Sequence, residues 1–146
     1  MKKLLLILLA ALTLVGCASS KEDKIELDSI KITSVYSVLG EKKVTGSSNL
    51  LKNNVRTVER SYNNKDITYD ELKKYSDYLV DKENFTIVEP EEIDNEGNRI
   101  WRVVNTLLDP GKETYVEFTY KNDGGVLIKY VKGADEWLIK LNEINF

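Results

Sequence analysis

The hydrophobic pattern along the chain divides into one continuous apolar run and many short alternating ones. Leu4 to Val15 is apolar apart from Thr13 and follows the charged pair Lys2 and Lys3. A helix across a bilayer needs about 20 apolar residues, so this run is too short to span one. A basic start, a short apolar stretch and small residues after it predict an export signal. The later runs predict strands. Ile30 to Leu39 alternates, with Ile30, Ile32, Tyr36 and Val38 on one parity. Gly40 to Lys42 is expected to turn that strand, with Lys43 to Gly46 as a short return. Ser47 to Asn54 reads as polar and turn-rich, and Val55 to Tyr62 as a strand with Val58 and Tyr62 on one face.

Only one segment carries helical spacing with a start signal. Thr68-Tyr69-Asp70-Glu71 fits a capping box, in which the Thr68 hydroxyl and the Glu71 carboxylate each satisfy the other's backbone N–H. Asp70 and Glu71 also suit the positive end of a helix dipole. Tyr69, Leu72, Tyr75, Ser76 and Leu79 then share one face, predicting a helix over 68–83. Phe85 to Val88 is expected to be a short strand stopped near Pro90, followed by an acidic loop over Glu89 to Asn98. Ile100 to Leu108 reads as a strand ending in the turn Asp109-Pro110-Gly111. Thr114 to Lys121 places Thr114, Val116, Phe118 and Tyr120 on one face. Asn122-Asp123-Gly124-Gly125 supplies positive-φ residues for a hairpin into Val126 to Lys132. Gly133 to Glu136 reads as another turn, and Trp137 to Leu141 as a last strand or a short helix.

The expected fold is therefore α+β, with an antiparallel sheet of about five to seven strands and one main helix across one face in two layers. The order strand–helix–meander from Val55 onward looks like the cystatin-like arrangement. The inhibitory Gln-x-Val-x-Gly loop of that family does not occur here, so the likeness implies topology and not protease inhibition. The expected domain boundaries are 1–16 for the removed signal, 17–29 for a tether, and 30–146 for a single domain.

Leu14-Val15-Gly16-Cys17 resembles the lipobox of bacterial lipoproteins. That resemblance covers residues 1–20 and implies cleavage before Cys17, a diacylglyceryl thioether on its Sγ, and a further acyl chain on its new amino group. Two acyl chains hold a protein to a membrane where one is marginal, at about 0.8 kcal/mol per buried CH₂. An ordinary secretory leader with a chance cysteine, or a buried N-terminal helix, is the competing reading. Cys17 is the only cysteine, so it has no partner within the chain for a disulfide. The expected location is the extracytoplasmic face of the cell membrane, with the bilayer as a partner through Cys17.

Charge and composition narrow the function by exclusion. The chain has 21 basic and 24 acidic residues, and loss of Lys2 and Lys3 with the leader moves its net charge from −3 to −5. A mixed, mildly acidic surface does not fit nucleic acid, which calls for a clustered basic face. There is no histidine, which removes Ser–His and Cys–His nucleophiles and histidine metal sites. No Ser-x-x-Lys, Gly-x-Ser-x-Gly or phosphate-loop motif occurs. Glu89, Glu91, Glu92, Asp94 and Glu96 form the densest acidic run. It reads as a cation or basic-partner site or, more simply, as a solvated hairpin, because it lacks the regular ligand spacing of a calcium loop. Paired carboxylates for glycoside hydrolysis have no framing motif. Trp101, Trp137, Tyr115, Tyr120 and Tyr130 read either as a platform for glycan or peptide or as cross-strand packing. Tyr69, Tyr75 and Tyr78 read as helix packing. The expectation is a non-catalytic binding module without a cofactor, taking an envelope protein, glycan or peptide. The alternatives are an envelope assembly factor and a histidine-free hydrolase.

Overall fold

The structure, a computed structural model, describes residues 20–134. The signal, the lipobox, Cys17 and the Trp137–Leu141 segment lie outside the described residues. The fold is α+β and mostly β. A two-stranded antiparallel ribbon, β1 (Lys24–Leu27) and β2 (Ile30–Thr33), leads into a short helix α1 (Val35–Leu39). Strands β3 (Val44–Lys52) and β4 (Val55–Asn63) precede the main helix α2 (Tyr69–Lys82). The strands β5 (Thr86–Ile93), β6 (Arg99–Asn105), β7 (Glu113–Tyr120) and β8 (Gly125–Ala134) come after it. The six long strands form one antiparallel sheet in the order β3-β4-β8-β7-β6-β5.

Helix α2 begins where the capping box predicted. The Thr68 hydroxyl accepts from the Glu71 N–H at 3.2 Å, and Glu71 Oε2 accepts from the Thr68 N–H at 3.0 Å. Its buried face is Leu72, Tyr75, Ser76 and Leu79, and burial of one such large apolar side chain contributes about 1.5–3 kcal/mol. Tyr69 is only partly buried. It packs edge-on against Trp101 and Tyr120, with ring centroids 6.1 and 5.7 Å apart. Trp101 stacks on Phe118 at 5.2 Å and donates its Nε1–H to Ser76 Oγ at 2.9 Å.

Several sequence expectations are corrected. Ile30 to Leu39 is not one strand. Ser34 accepts from the Ser37 N–H and caps α1, so the apolar alternation continues from strand into helix. Lys43 to Asn54 is neither a short return nor a loop but the nine-residue strand β3. Asn53 and Asn54, with φ of 52° and 64°, form the two-residue turn into β4, which is the geometry a tight hairpin requires. The polar composition of β3 reflects its place at the sheet edge. Residues 24–29, read as tether, form β1 and its turn, with Ile25 and Leu27 fully packed in the core. Strand β5 runs through Pro90 to Ile93. It is the other edge strand, and its pairing with β6 shifts register on both sides of Glu89. An edge strand at a bulge tolerates a residue with no N–H to donate. The acidic loop is correspondingly reduced to a turn over Asp94 to Asn98. Strand β8 runs through Gly133 to Ala134 instead of turning there.

The ribbon is held to the sheet by charge as well as apolar packing. Arg60 on β4 is 9% exposed and meets both carboxylate oxygens of Glu22, at 3.1 and 3.0 Å. Arg56 Nε donates to Asp28 at 3.0 Å, and Lys132 lies 3.6 Å from the same carboxylate. Thr33, which ends the ribbon, gives its N–H to Glu83 at 3.1 Å, and its carbonyl accepts from the Tyr75 hydroxyl at 2.7 Å. A buried polar ridge thus ties β2 to the middle of α2 and to the residue that ends it.

Candidate interaction surface

Strand register defines the two ends of the sheet. Val44, Tyr62, Val126, Tyr120, Arg99 and Ile93 lie at one end, and Lys52, Val55, Ala134, Glu113, Asn105 and Thr86 at the other. The first end receives the N-terminal segment: Ser20 Oγ accepts from the Val44 N–H at 3.4 Å. Its rim is polar. Asp94 accepts from the N–H groups of Glu96 and Asn98, both at 2.9 Å, and Asn98 Oδ1 accepts from the Asn122 N–H of the neighbouring turn at 2.9 Å. These hydrogen bonds, foremost that from the Asn98 N–H, hold the Asp94 carboxyl below its usual range. The acidic run is therefore a hairpin. Its carboxylates diverge: Glu89 and Glu91 lie against Arg102 and Arg99, while Asp94 holds its own turn. Among the described residues there is no group of three or more His, Cys, Asp or Glu able to hold a metal ion.

The opposite end differs in kind. Six large apolar side chains are substantially exposed among the described residues, and five of them, Leu50, Leu51, Ile87, Leu107 and Leu108, belong to this end. Leu107 reaches 76% exposure. Leu50 and Leu51 flank the β3–β4 turn, and Leu107 and Leu108 sit in the β6–β7 connection, ahead of the Asp109-Pro110-Gly111 turn. That turn closes with a hydrogen bond from the Lys112 N–H to the Asp109 carbonyl at 3.0 Å. Sequence reasoning placed Leu50 and Leu51 in a loop and Leu107 and Leu108 within a strand. Their common end became visible only through strand order.

The face of the sheet away from Trp101, Phe118 and Tyr130 carries a row of alternating charge. Register aligns Ser48, Glu59, Lys129, Glu117, Arg102 and Glu89 across all six strands. Arg102 donates to Glu117 at 2.7 Å and lies 3.5 Å from Glu89, and Lys129 lies 4.0 Å from Glu117. Partial burial works against the charge on Arg102, but Glu117 and Glu89 prevail and raise its pKa. The guanidinium also covers the Tyr115 ring at 4.4 Å, and burial raises the pKa of that tyrosine despite the nearby cation. Such cross-strand pairs specify register more than they add stability, since exposed pairs contribute about 0–1 kcal/mol each.

The aromatic residues divide sharply. Trp101 and Tyr130 are core residues, 1% and 0% exposed, and so cannot form a platform for a ligand. Tyr120 packs on Tyr69, and Tyr115 lies on the far face beneath Arg102. Tyr75 is buried, and Tyr78 is partly buried beside a shallow groove lined by Val38, Lys74 and Asp81. No known protein family matches the chain, and no curated protein matches it. The described residues contain no helix long and apolar enough to cross a membrane.

Proposed function

We propose that this chain is a lipid-anchored, extracytoplasmic interaction module that binds a protein, glycan or peptide of the cell envelope through the leucine-rich end of its sheet. It performs no catalysis and requires no cofactor. The observation that carries this reading is the segregation of exposed apolar side chains to one end, with Leu50 and Leu51 on the β3 edge, Leu107 and Leu108 in the β6–β7 connection, Ile87 on the β5 edge, and the N-terminal entry at the other end. Clustered exposed apolar surface marks interaction sites, whereas scattered single residues do not. The lipobox supplies the anchor at Cys17. Three peptide links separate Cys17 from Ser20, a reach of at most about 10 Å. The polar rim of Asp94, Glu96, Asn122 and Asp123 then faces the lipid surface, and the leucines face away from it. The architecture suits that task as two layers, with α2 across one face of the sheet, a placement supported by its contacts to Trp101, Phe118 and Tyr130.

Photocrosslinking in intact host cells tests the reading, with the crosslinker placed in turn at Leu51, Leu107 and Asp123. Capture of one defined partner from Leu51 and Leu107, loss of that capture in Leu50→Asp or Leu108→Asp, and lipid adducts from Asp123 are expected. Equal capture from all three positions, or none from the leucine positions, refutes it.

A further inference from the structure

We propose that the open half of the outer edge of β3, residues 48–52, binds an extended peptide segment of a partner protein as a further antiparallel strand. An acidic residue of that segment stands opposite Lys52, an apolar one opposite Leu50 and a basic one opposite Ser48. Strands β3 and β5 are the two edges of the sheet. The β5 edge is guarded by Pro90, by the glutamates around it and by two shifts of register, devices that keep an edge from pairing. The β3 edge carries no proline, and no charged residue over residues 44–51. The N-terminal segment meets its first residue only, through Ser20 at the Val44 N–H. At the other half, Leu50 is 57% and Leu51 54% exposed. These two lie on opposite faces, so neither face of this stretch is covered.

Backbone geometry fixes the class of occupant. Asn53 and Asn54 make a two-residue turn between the paired residues Lys52 and Val55. In such a hairpin the flanking pair exchanges both backbone hydrogen bonds, and bonded pairs alternate with non-bonded ones. Leu50 and Ser48 therefore turn their N–H and carbonyl groups toward β4, while Leu51 and Asn49 turn theirs outward. Another extended backbone is the complement of such an edge. Charge then fixes the side chains. Ser48, Leu50 and Lys52 share the face that carries the row Glu89, Arg102, Glu117, Lys129 and Glu59. Signs alternate along that row and stop at Glu59, with Ser48 beyond it. Among the described residues neither Glu59 nor Lys52 has an ion pair, and the Glu59 carboxylate accepts from the Ser48 hydroxyl at 3.4 Å. A basic residue opposite Ser48 continues the alternation by reaching over that small side chain to Glu59. An acidic one opposite Lys52 pairs with it directly. Ser48, Leu50 and Lys52 would stand in non-hydrogen-bonded pairs with the peptide, where facing side chains are closest. A second copy of β3 is a poorer match. It offers Ser48 where Lys52 calls for an acid, and twofold antiparallel pairing sends the two N-terminal ends in opposite directions. The inference rests on the reading of the leucine-rich end as a docking site and names the chemistry of what docks there.

The probe is a labelled peptide, blocked at both ends, that presents glutamate, valine, leucine, threonine and lysine in succession. It is titrated against the full chain and followed by fluorescence anisotropy. Saturable binding is expected. N-methylation of the valine and threonine amides, which face Leu51 and Asn49, should abolish it, whereas N-methylation of the leucine and lysine amides should leave it intact. Exchanging the glutamate and the lysine should weaken binding about tenfold, and Lys52→Glu should remove that preference. No saturable binding, equal loss from either methylation pattern, or equal affinity for the exchanged peptide overturns the proposal. So does peptide binding that falls as protein concentration rises, which assigns the edge to a second copy. A peptide that binds while crosslinking in cells captures no partner refutes the docking role and leaves the strand pairing standing. A captured partner without peptide binding does the reverse.

Discussion

Replacing Tyr75 with Phe should destabilise the protein more than replacing Tyr130, although the two hydroxyls lie 2.9 Å apart and both rings are buried. Tyr75 donates its single proton to the Thr33 carbonyl at 2.7 Å. The proton between the two tyrosines must therefore come from Tyr130. Tyr75→Phe strands two buried groups at once, the Thr33 carbonyl and the Tyr130 O–H. At about 1–3 kcal/mol for each of the two stranded groups, the expected loss is roughly 2–6 kcal/mol. Tyr130→Phe removes a donor whose acceptor still has its bond to Thr33, and should cost only about 0.5–1.5 kcal/mol. The double variant leaves only the Thr33 carbonyl without a partner. Its loss should be about 1–3 kcal/mol, below the sum of the two single losses. Urea unfolding followed by circular dichroism at constant m gives all three values. Equal single losses, a greater loss for Tyr130→Phe, or strict additivity would refute the assignment of donors and the role of Thr33 as the junction of β2 and α2.

The same geometry has other consequences. Alkali should unfold the protein cooperatively: burial pushes Tyr62 up to about 12 and Tyr75 and Tyr130 well above their usual value. Their folded pKa values are raised, so their contribution is complete below about pH 10 and declines above it, by about 1.4 kcal/mol per pH unit for each group. Phenolate absorbance should accordingly show late tyrosines ionising together with loss of the fold, and independent titration of all eight would contradict this. Thr68→Ala should cost about 1 kcal/mol through loss of the α2 cap, read as a lower urea midpoint. Gly133→Ala should cost more than about 1 kcal/mol, because Gly133 has φ of +90° and a Cβ there would stand 2.9 Å from the Asn54 carbonyl oxygen. A neutral urea midpoint for that variant would show that the β8 end and the β3–β4 turn are not in close approach.

Where local chemistry decides structure, the sequence announced it. The capping box at Thr68 and Glu71, the Asn122–Gly125 hairpin and the alternation of Thr114 to Tyr120 each depend on residues within a few positions of one another. Strand β3 was hidden because an edge strand need bury little, and Thr45 to Asn49 carry no apolar pattern. Pro90 misled for the related reason that the rule against proline in strands holds for interior strands. The ribbon residue Ile25 looked like tether because only contacts with distant strands bury it. Trp101 and Tyr130 read as platform or, by preference, as packing, and only their burial, at 1% and 0% exposure, decides for the core. The leucine-rich end was least legible of all, since it depends on strand order across the whole sheet. The lipobox resemblance, conversely, is a purely local signal, and the proposed anchor rests on Leu14, Val15, Gly16 and Cys17 alone.

Membrane attachment through Cys17 is the premise on which the orientation of the two ends depends. Mass spectrometry of the N-terminal peptide, taken from protein isolated from host membranes, addresses it directly. The account predicts a peptide that begins at Cys17 and carries a diacylglyceryl thioether, with Cys17→Ser releasing the protein from the membrane fraction. An unlipidated peptide beginning at Met1, or one beginning after Cys17, would contradict it.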